Sequence, residues 1–142
     1  MNGGKLRQAL IVVLAGIGIG LLAVVMAASE QEEVSVTGVK WLSLLDDEKY
    51  EESWKQASSM FRDQVTLEVW LAAVNRFRKP MGTLVSRSVS RVDFTKSLRG
   101  APVGDYAIIH FSTSFRNQSG ATERLTLVKE EGKWETAAYA IH

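Results

Sequence analysis

The sequence predicts an α+β fold: about three helices packed on a curved four-stranded antiparallel sheet, behind an N-terminal transmembrane or signal helix. Three observations predict it. Residues 9–28 are an unbroken run of apolar residues and glycine, apolar residues then recur at spacings of three and four as far as Phe77, and after Gly82 the period changes to two. Helices grouped ahead of strands, rather than alternating with them, mark an α+β chain with its helices on one face of the sheet.

The apolar run comes first. At about 1.5 Å per helical residue it spans the roughly 30 Å hydrocarbon core of a bilayer. Lys5 and Arg7 precede it, and Glu30, Glu32 and Glu33 follow it. The positive flank stays in the cytoplasm, so the expected orientation is N-in, C-out, with the bulk of the chain in the periplasm of a bacterial inner membrane. Two fates stand open. The length fits a retained anchor, whereas Val25-Met26-Ala27, the Ala27-Ala28-Ser29 ending and the glycines fit a cleaved signal peptide and a released domain. Gly16-x-Gly18-x-Gly20 lies inside the apolar run, with neither the preceding strand nor the following soluble helix that a nucleotide-binding loop needs. Gly16 and Gly20 also form a small-xxx-small pair of the kind that lets membrane helices approach closely.

The expected organisation is therefore a membrane segment at residues 1–28, a linker at 29–35 and an exported domain at 36–142. About 110 residues remain after the segment, enough to bury a core without staples. None is cysteine, which excludes a disulfide scaffold, a thiol nucleophile, a cysteine-ligated metal and a lipid-modified N-terminal cysteine. The net charge is +1, and Lys5 and Arg7 belong to the membrane segment, so the domain is close to neutral and does not fit a nucleic-acid binder.

Val36, Val39, Leu42 and Leu45 recur every three residues and predict a first helix ending near Asp46. Asp46 or Asp47 can cap a second, in which Tyr50, Trp54, Ala57 and Phe61 share one face and acids occupy the other. Thr66 is the expected N-cap of a third, with Leu67, Trp70, Ala73, Val74 and Phe77 on its buried side. Pro80 and Gly82 end it.

Four strands follow. The first is expected over Thr83 to Phe94, and Gly100, Pro102 and Gly104 connect it to a second over Tyr106 to Phe115. In that second strand Ala107, Ile109, Phe111, Thr113 and Phe115 line one face, and Tyr106, Ile108, His110, Ser112 and Ser114 the other. A turn at Asn117 to Gly120 leads to a third strand, Ala121 to Lys129, and Glu131-Gly132 to a fourth, Lys133 to Ile141. The last three form a meander. Helices cradled by such a sheet correspond to a cone of the cystatin-like or nuclear-transport-factor-2-like kind.

From Val39 to Ile141 the chain resembles a bacterial exported family known as domain of unknown function 4019. The resemblance is carried by Trp41-Leu42 with Leu45-Asp46, Tyr50 with Ser53-Trp54 and Ala57-Ser58, Phe61-Arg62, Trp70, and Arg78-Lys79-Pro80-Met81-Gly82 with Ser86-Arg87. It continues through Gly104-Asp105-Tyr106, the stretch from Phe111 to Phe115, Glu123, and Gly132-Lys133-Trp134 followed by Tyr139. The last strand departs from the pattern, with Ala137-Ala138-Tyr139 where a glycine before the tyrosine is expected. The resemblance implies export and a compact domain, and no activity.

Chemistry-bearing residues are sparse. His110, Asp105 and Ser112 have the residue types of a hydrolytic triad, but a triad is a matter of geometry, and Asp105 points away from the face that the other two share. The simpler reading is a histidine on a half-exposed strand. His142 is the only other histidine, so no metal site and no cofactor are expected. Arg76, Arg78, Lys79, Arg87, Arg91, Lys96 and Arg99 gather positive charge against a single Asp93. Arg87 and Arg91 alternate onto one strand face, where arginine forks hold a carboxylate or phosphate, or else pair with Glu123, Glu130, Glu131 and the acidic second helix. Trp41, Trp54, Trp70 and Trp134 are core residues or the wall of a pocket between sheet and helices. For such a pocket, Arg87, Tyr106, His110 and Trp134 are the expected lining.

The expected function is a non-enzymatic envelope domain with a structural or protein-interaction role. A module holding a small anionic or amphipathic ligand between sheet and helices is the alternative. An enzyme built on His110 is a third reading.

Overall fold

The change of period after Gly82 is where helix gives way to strand. The computed structural model describes the backbone of residues 3–142 and the side chains of residues 20–142. The elements are α1 (Gly3–Asp46), α2 (Tyr50–Lys55), α3 (Ser59–Gln64), α4 (Leu67–Phe77), a 3₁₀ turn at Lys79–Met81, β1 (Leu84–Thr95), β2 (Tyr106–Phe115), β3 (Gln118–Glu130) and β4 (Lys133–Ile141). Two compact units divide the chain, Met1–Glu33 and Val34–His142. Residues 29–35, read as a linker, are helical within α1. The apolar run also lies in α1, but its residues 9–19 are outside those with described side chains, as are Lys5, Arg7 and Gly16. Among the described residues no helix is long and apolar enough to cross a membrane.

The second unit is α+β. Its four strands pair antiparallel in the order β1-β2-β3-β4, so the meander includes all four and leaves β1 and β4 as edges. The residues of β2 expected to face the core, Ala107, Ile109, Phe111, Thr113 and Phe115, are all buried. Trp41, Leu42 and Leu45 from α1, Tyr50 from α2, Phe61 from α3, and Trp70 and Val74 from α4 pack with Ile109, Phe111, Leu125 and Leu127 of the sheet in one core. Trp70 is its hub: its ring meets Phe61 edge-on at 5.2 Å between centroids and lies 5.9 Å from Trp41 and 6.3 Å from Tyr139. Its indole N–H donates to the buried Ser53 hydroxyl at 3.0 Å, so the polar edge of the ring has a partner inside the core.

Helix geometry corrects the first stripe. A step of three residues falls about 60° short of a full turn, so the series from 36 to 45 walks about half-way round the helix. Leu42 and Leu45 are buried, whereas Val36 is 62% and Val39 45% exposed. The inward side is Val34, Trp41, Leu42 and Leu45, with Gly38 between them, where a Cβ would stand 2.8 Å from Ile109 Cδ1. Glycine there lets the helix lie close on the sheet.

The second helix is two. Tyr50, Ala57 and Phe61 do turn inward, but the backbone N–H of Ser58 donates to Thr136 O of β4 at 2.8 Å, and its hydroxyl accepts from Phe61 N. A tertiary bond and an N-cap therefore break a pattern that carries no glycine or proline. Nor does Asp46 or Asp47 cap α2, whose N-cap residue Lys49 makes no side-chain capping bond. Thr66 does cap α4, accepting from Val69 N at 3.3 Å. Phe77, assigned to the buried side of that helix, is 57% exposed. The turn before β3 is also tighter than expected: Phe115 pairs with Gln118 around Arg116 and Asn117.

Candidate functional site

Six polar or ionisable side chains meet at one place on the helix-covered side of the sheet, and each comes from a different element or its end. Asp46 ends α1, Arg78 follows α4, and Arg87, Thr113, Glu123 and Tyr139 stand on β1, β2, β3 and β4 respectively. Glu123 is the centre and is 0% exposed. Its Oε2 accepts from Arg87 Nε at 2.7 Å and from the Thr113 hydroxyl at 2.6 Å, and its Oε1 from the Tyr139 hydroxyl at 2.7 Å and Arg87 Nη2 at 3.2 Å. Arg87 turns its other side to Asp46, with Nη1 at 2.7 Å from Oδ2 and Nη2 at 2.9 Å from Oδ1. Arg78 reaches the same Oδ1 at 2.9 Å, donates to Gly82 O, and lies 4.1 Å over the centre of the Phe115 ring.

Two guanidiniums thus face two carboxylates, and the charge closes on itself. That balance is what a buried ion cluster requires, because an unpaired charge taken out of water is very costly. Burial alone would pull the Arg87 guanidinium down, but its hydrogen bonds to Asp46 and Glu123 carry it above its ordinary value. Burial, and then the charge of Glu123, push the Tyr139 phenol well above the usual tyrosine range. Both stay protonated at any physiological pH. Both oxygens of Glu123 are occupied, and the cluster ties α1, the end of α4 and all four strands together.

The four residues expected to line a pocket are not brought together. Arg87 and Trp134 share the helix side, but their positions on the sheet are paired with Thr113–Ala121 and Lys129, about 26 Å apart along β3 at roughly 3.3 Å per residue. His110 stands on the opposite face, and Tyr106 shares its side of the alternation and donates to Pro102 O at 2.7 Å. The expectation that Arg87 and Arg91 share a face also fails. A bulge between Val89 and Arg91 inserts Ser90, which returns Arg91 to the His110 side. There Arg91 bonds Asp93 at 2.7 Å and lies 3.0 Å from His110 Nε2. Arg87 does pair with Glu123, while Glu130 instead binds the amides of Ser59 and Met60 at the start of α3. Asp105 is taken by Lys96, so it does not join His110 and Ser112. Among the described residues no three acids or histidines gather as a metal site would need.

The alternation could have pointed to Glu123. It falls between Ala121 and Leu125 on the buried side of β3, where a charge requires partners. Asp46 and Arg78 carried no such signal, since neither lies in an alternating segment.

Beside the cluster is an open apolar groove of about 260 Å³. Trp70, Ala73, Val74 and Phe77 of α4 form one wall, Tyr139, Ala140 and Ile141 of β4 the other, and Arg78 also lines it. Successive strand side chains point to opposite faces, so three consecutive residues can line one groove only along the strand's edge. A second hollow across Arg78 is rimmed by Asp47, Glu48 and Lys79 and is far more charged.

Residues 37–139 match the family described as protein of unknown function (DUF4019), and the chain belongs to that family. No curated protein and no solved structure matches it.

Proposed function

We propose that this chain is a non-enzymatic domain of the cell envelope, carried across the membrane by its N-terminal apolar run and then tethered by it or released, whose role is to bind a protein partner in the α4/β4 groove. The groove is the observation that carries the reading: an apolar concavity stands open at a sheet edge, beside a buried cluster in which both oxygens of Glu123 are already paired. Contiguous exposed apolar surface marks interaction sites. Export is supported by Lys5 and Arg7 before the run and the acids after it, which orient the domain towards the periplasm. Helices on one face of a four-stranded meander support a cystatin-like or nuclear-transport-factor-2-like cone.

A second reading, a small anionic or amphipathic ligand in the same groove, is favoured by the position of Arg78 beside an apolar lining. Photo-crosslinking in cells tests partner binding. A benzophenone-bearing phenylalanine analogue at Phe77 gives a discrete protein adduct, and the same analogue at Ser112, on the far sheet face, gives none. Adducts from Ser112 alone, or from neither position, contradict the reading.

A further inference from the structure

We infer that the partner enters the groove as an extended polypeptide segment, adding a fifth strand to the free edge of β4 and presenting an apolar side chain and a carboxylate. The inference rests on the groove being the binding surface, and the backbone supplies the further step.

Thr122 and His142 exchange both of their backbone hydrogen bonds at 3.0 Å. In an antiparallel pair such positions alternate with pairs whose N–H and C=O groups point away from the neighbouring strand. Ala140, opposite Arg124, and Ala138, opposite Thr126, therefore bond inward to β3, while Tyr139 and Ile141 turn their backbone donors and acceptors outward. Further along the same edge the outward group of Thr136 is already used, its carbonyl accepting from Ser58 N at 2.8 Å. Among the described residues no bond from beyond the sheet meets Tyr139 or Ile141. The open stretch of edge is the one that lines the groove.

An extended chain fits this arrangement better than a compact ligand. Its backbone would satisfy the outward groups of Tyr139 and Ile141, and alternate side chains would point into the groove, where main-chain bonds provide affinity and pockets provide specificity. The α4 wall of Trp70, Ala73, Val74 and Phe77 takes an apolar residue. The carboxylate follows from Arg78. Its side chain is 4% exposed, its two terminal nitrogens bond Gly82 O and Asp46, and its Nε is a buried donor with no partner among the described residues. A buried donor left without an acceptor is costly, and an acidic group reaching the guanidinium would meet that need.

The test uses the full chain in detergent micelles and a random 12-residue peptide library displayed on phage, with selected peptides resynthesised and titrated by fluorescence polarisation. Selected sequences carry an apolar residue with Asp or Glu close by. Ile141→Pro removes one outward N–H at an edge position, where proline is tolerated, and weakens binding by about tenfold or more. Ala73→Trp, which fills the groove, does the same, with folding of both variants checked by thermal melting. Selected peptides that bind Ile141→Pro as well as the parent, or no enrichment over an unrelated protein, overturn strand addition. Two outcomes replace the occupant while leaving the groove as the binding surface. Dodecanoate binding that Ala73→Trp abolishes, without peptide binding, makes the ligand a small amphipath. Concentration-dependent dimers in sedimentation that Ile141→Pro dissociates make it a second copy of the chain.

Discussion

Glu123 shows how a single buried carboxylate organises this domain. It lies on the core side of β3, and four hydrogen bonds from Arg87, Thr113 and Tyr139 complete its surroundings. Removing one partner leaves an uncompensated charge, so Arg87→Met should lower the unfolding free energy by about 3 to 5 kcal/mol. Combined with Glu123→Gln, the loss should fall short of the sum of the singles by about 1 to 3 kcal/mol in a denaturant double-mutant cycle, because the two changes remove the same interaction. Tyr139 adds a pH dependence. Its folded pKa is raised above the unfolded value of 10.0, so its contribution is fully present below pH 10.0 and is lost as pH rises above it. Urea titrations from about pH 9 to about pH 12 should show stability falling more steeply in the parent than in Tyr139→Phe. At this scale the sequence was partly legible. A charge on the apolar side of β3 could have signalled a partnered site, and Glu123 was among the partners expected for Arg87. The role of Asp46 was hidden because its partners, Arg78 and Arg87, are distant in sequence and only the tertiary fold brings them to it.

At the scale of elements, periodicity was legible in the regular strand β2, misplaced Val36, Val39 and Phe77 within regular helices, and failed where a tertiary bond interrupts an element. The alternation of β2 assigns its core face correctly, and Thr66 marks the start of α4. The split between α2 and α3 could not be seen, because the Ser58 amide leaves the helix for Thr136 on a strand still to come. Ser58→Ala removes the hydroxyl that caps α3 at Phe61 N and should cost about 1 kcal/mol in thermal or denaturant unfolding. The bulges at Ser90 and Ala137 were equally invisible: each inserts one residue, which reverses the faces of everything beyond it without changing the local composition. That reversal separates Arg87 from Arg91 and removes the anion-binding pair that simple alternation suggests.

At the scale of the molecule, the buried cluster and the proposed interaction surface are separate. One buried cluster joins α1, the end of α4 and all four strands, and beside it the end of β4 keeps an unpaired edge against the apolar face of α4. A long exposed edge is normally blunted by charge, proline or cover, because it invites pairing with another chain. Here the Ser58 amide covers Thr136, and among the described residues no backbone bond covers the outward side of Tyr139 or Ile141. Amide hydrogen exchange of the full chain, with and without a saturating selected peptide, tests whether that opening is the working surface. The Tyr139 and Ile141 amides should exchange quickly in the free protein, those of Ala138 and Ala140 slowly, and the peptide should protect the first pair. Slow exchange at Tyr139 and Ile141 in the free chain, or no change on peptide binding, would contradict the account.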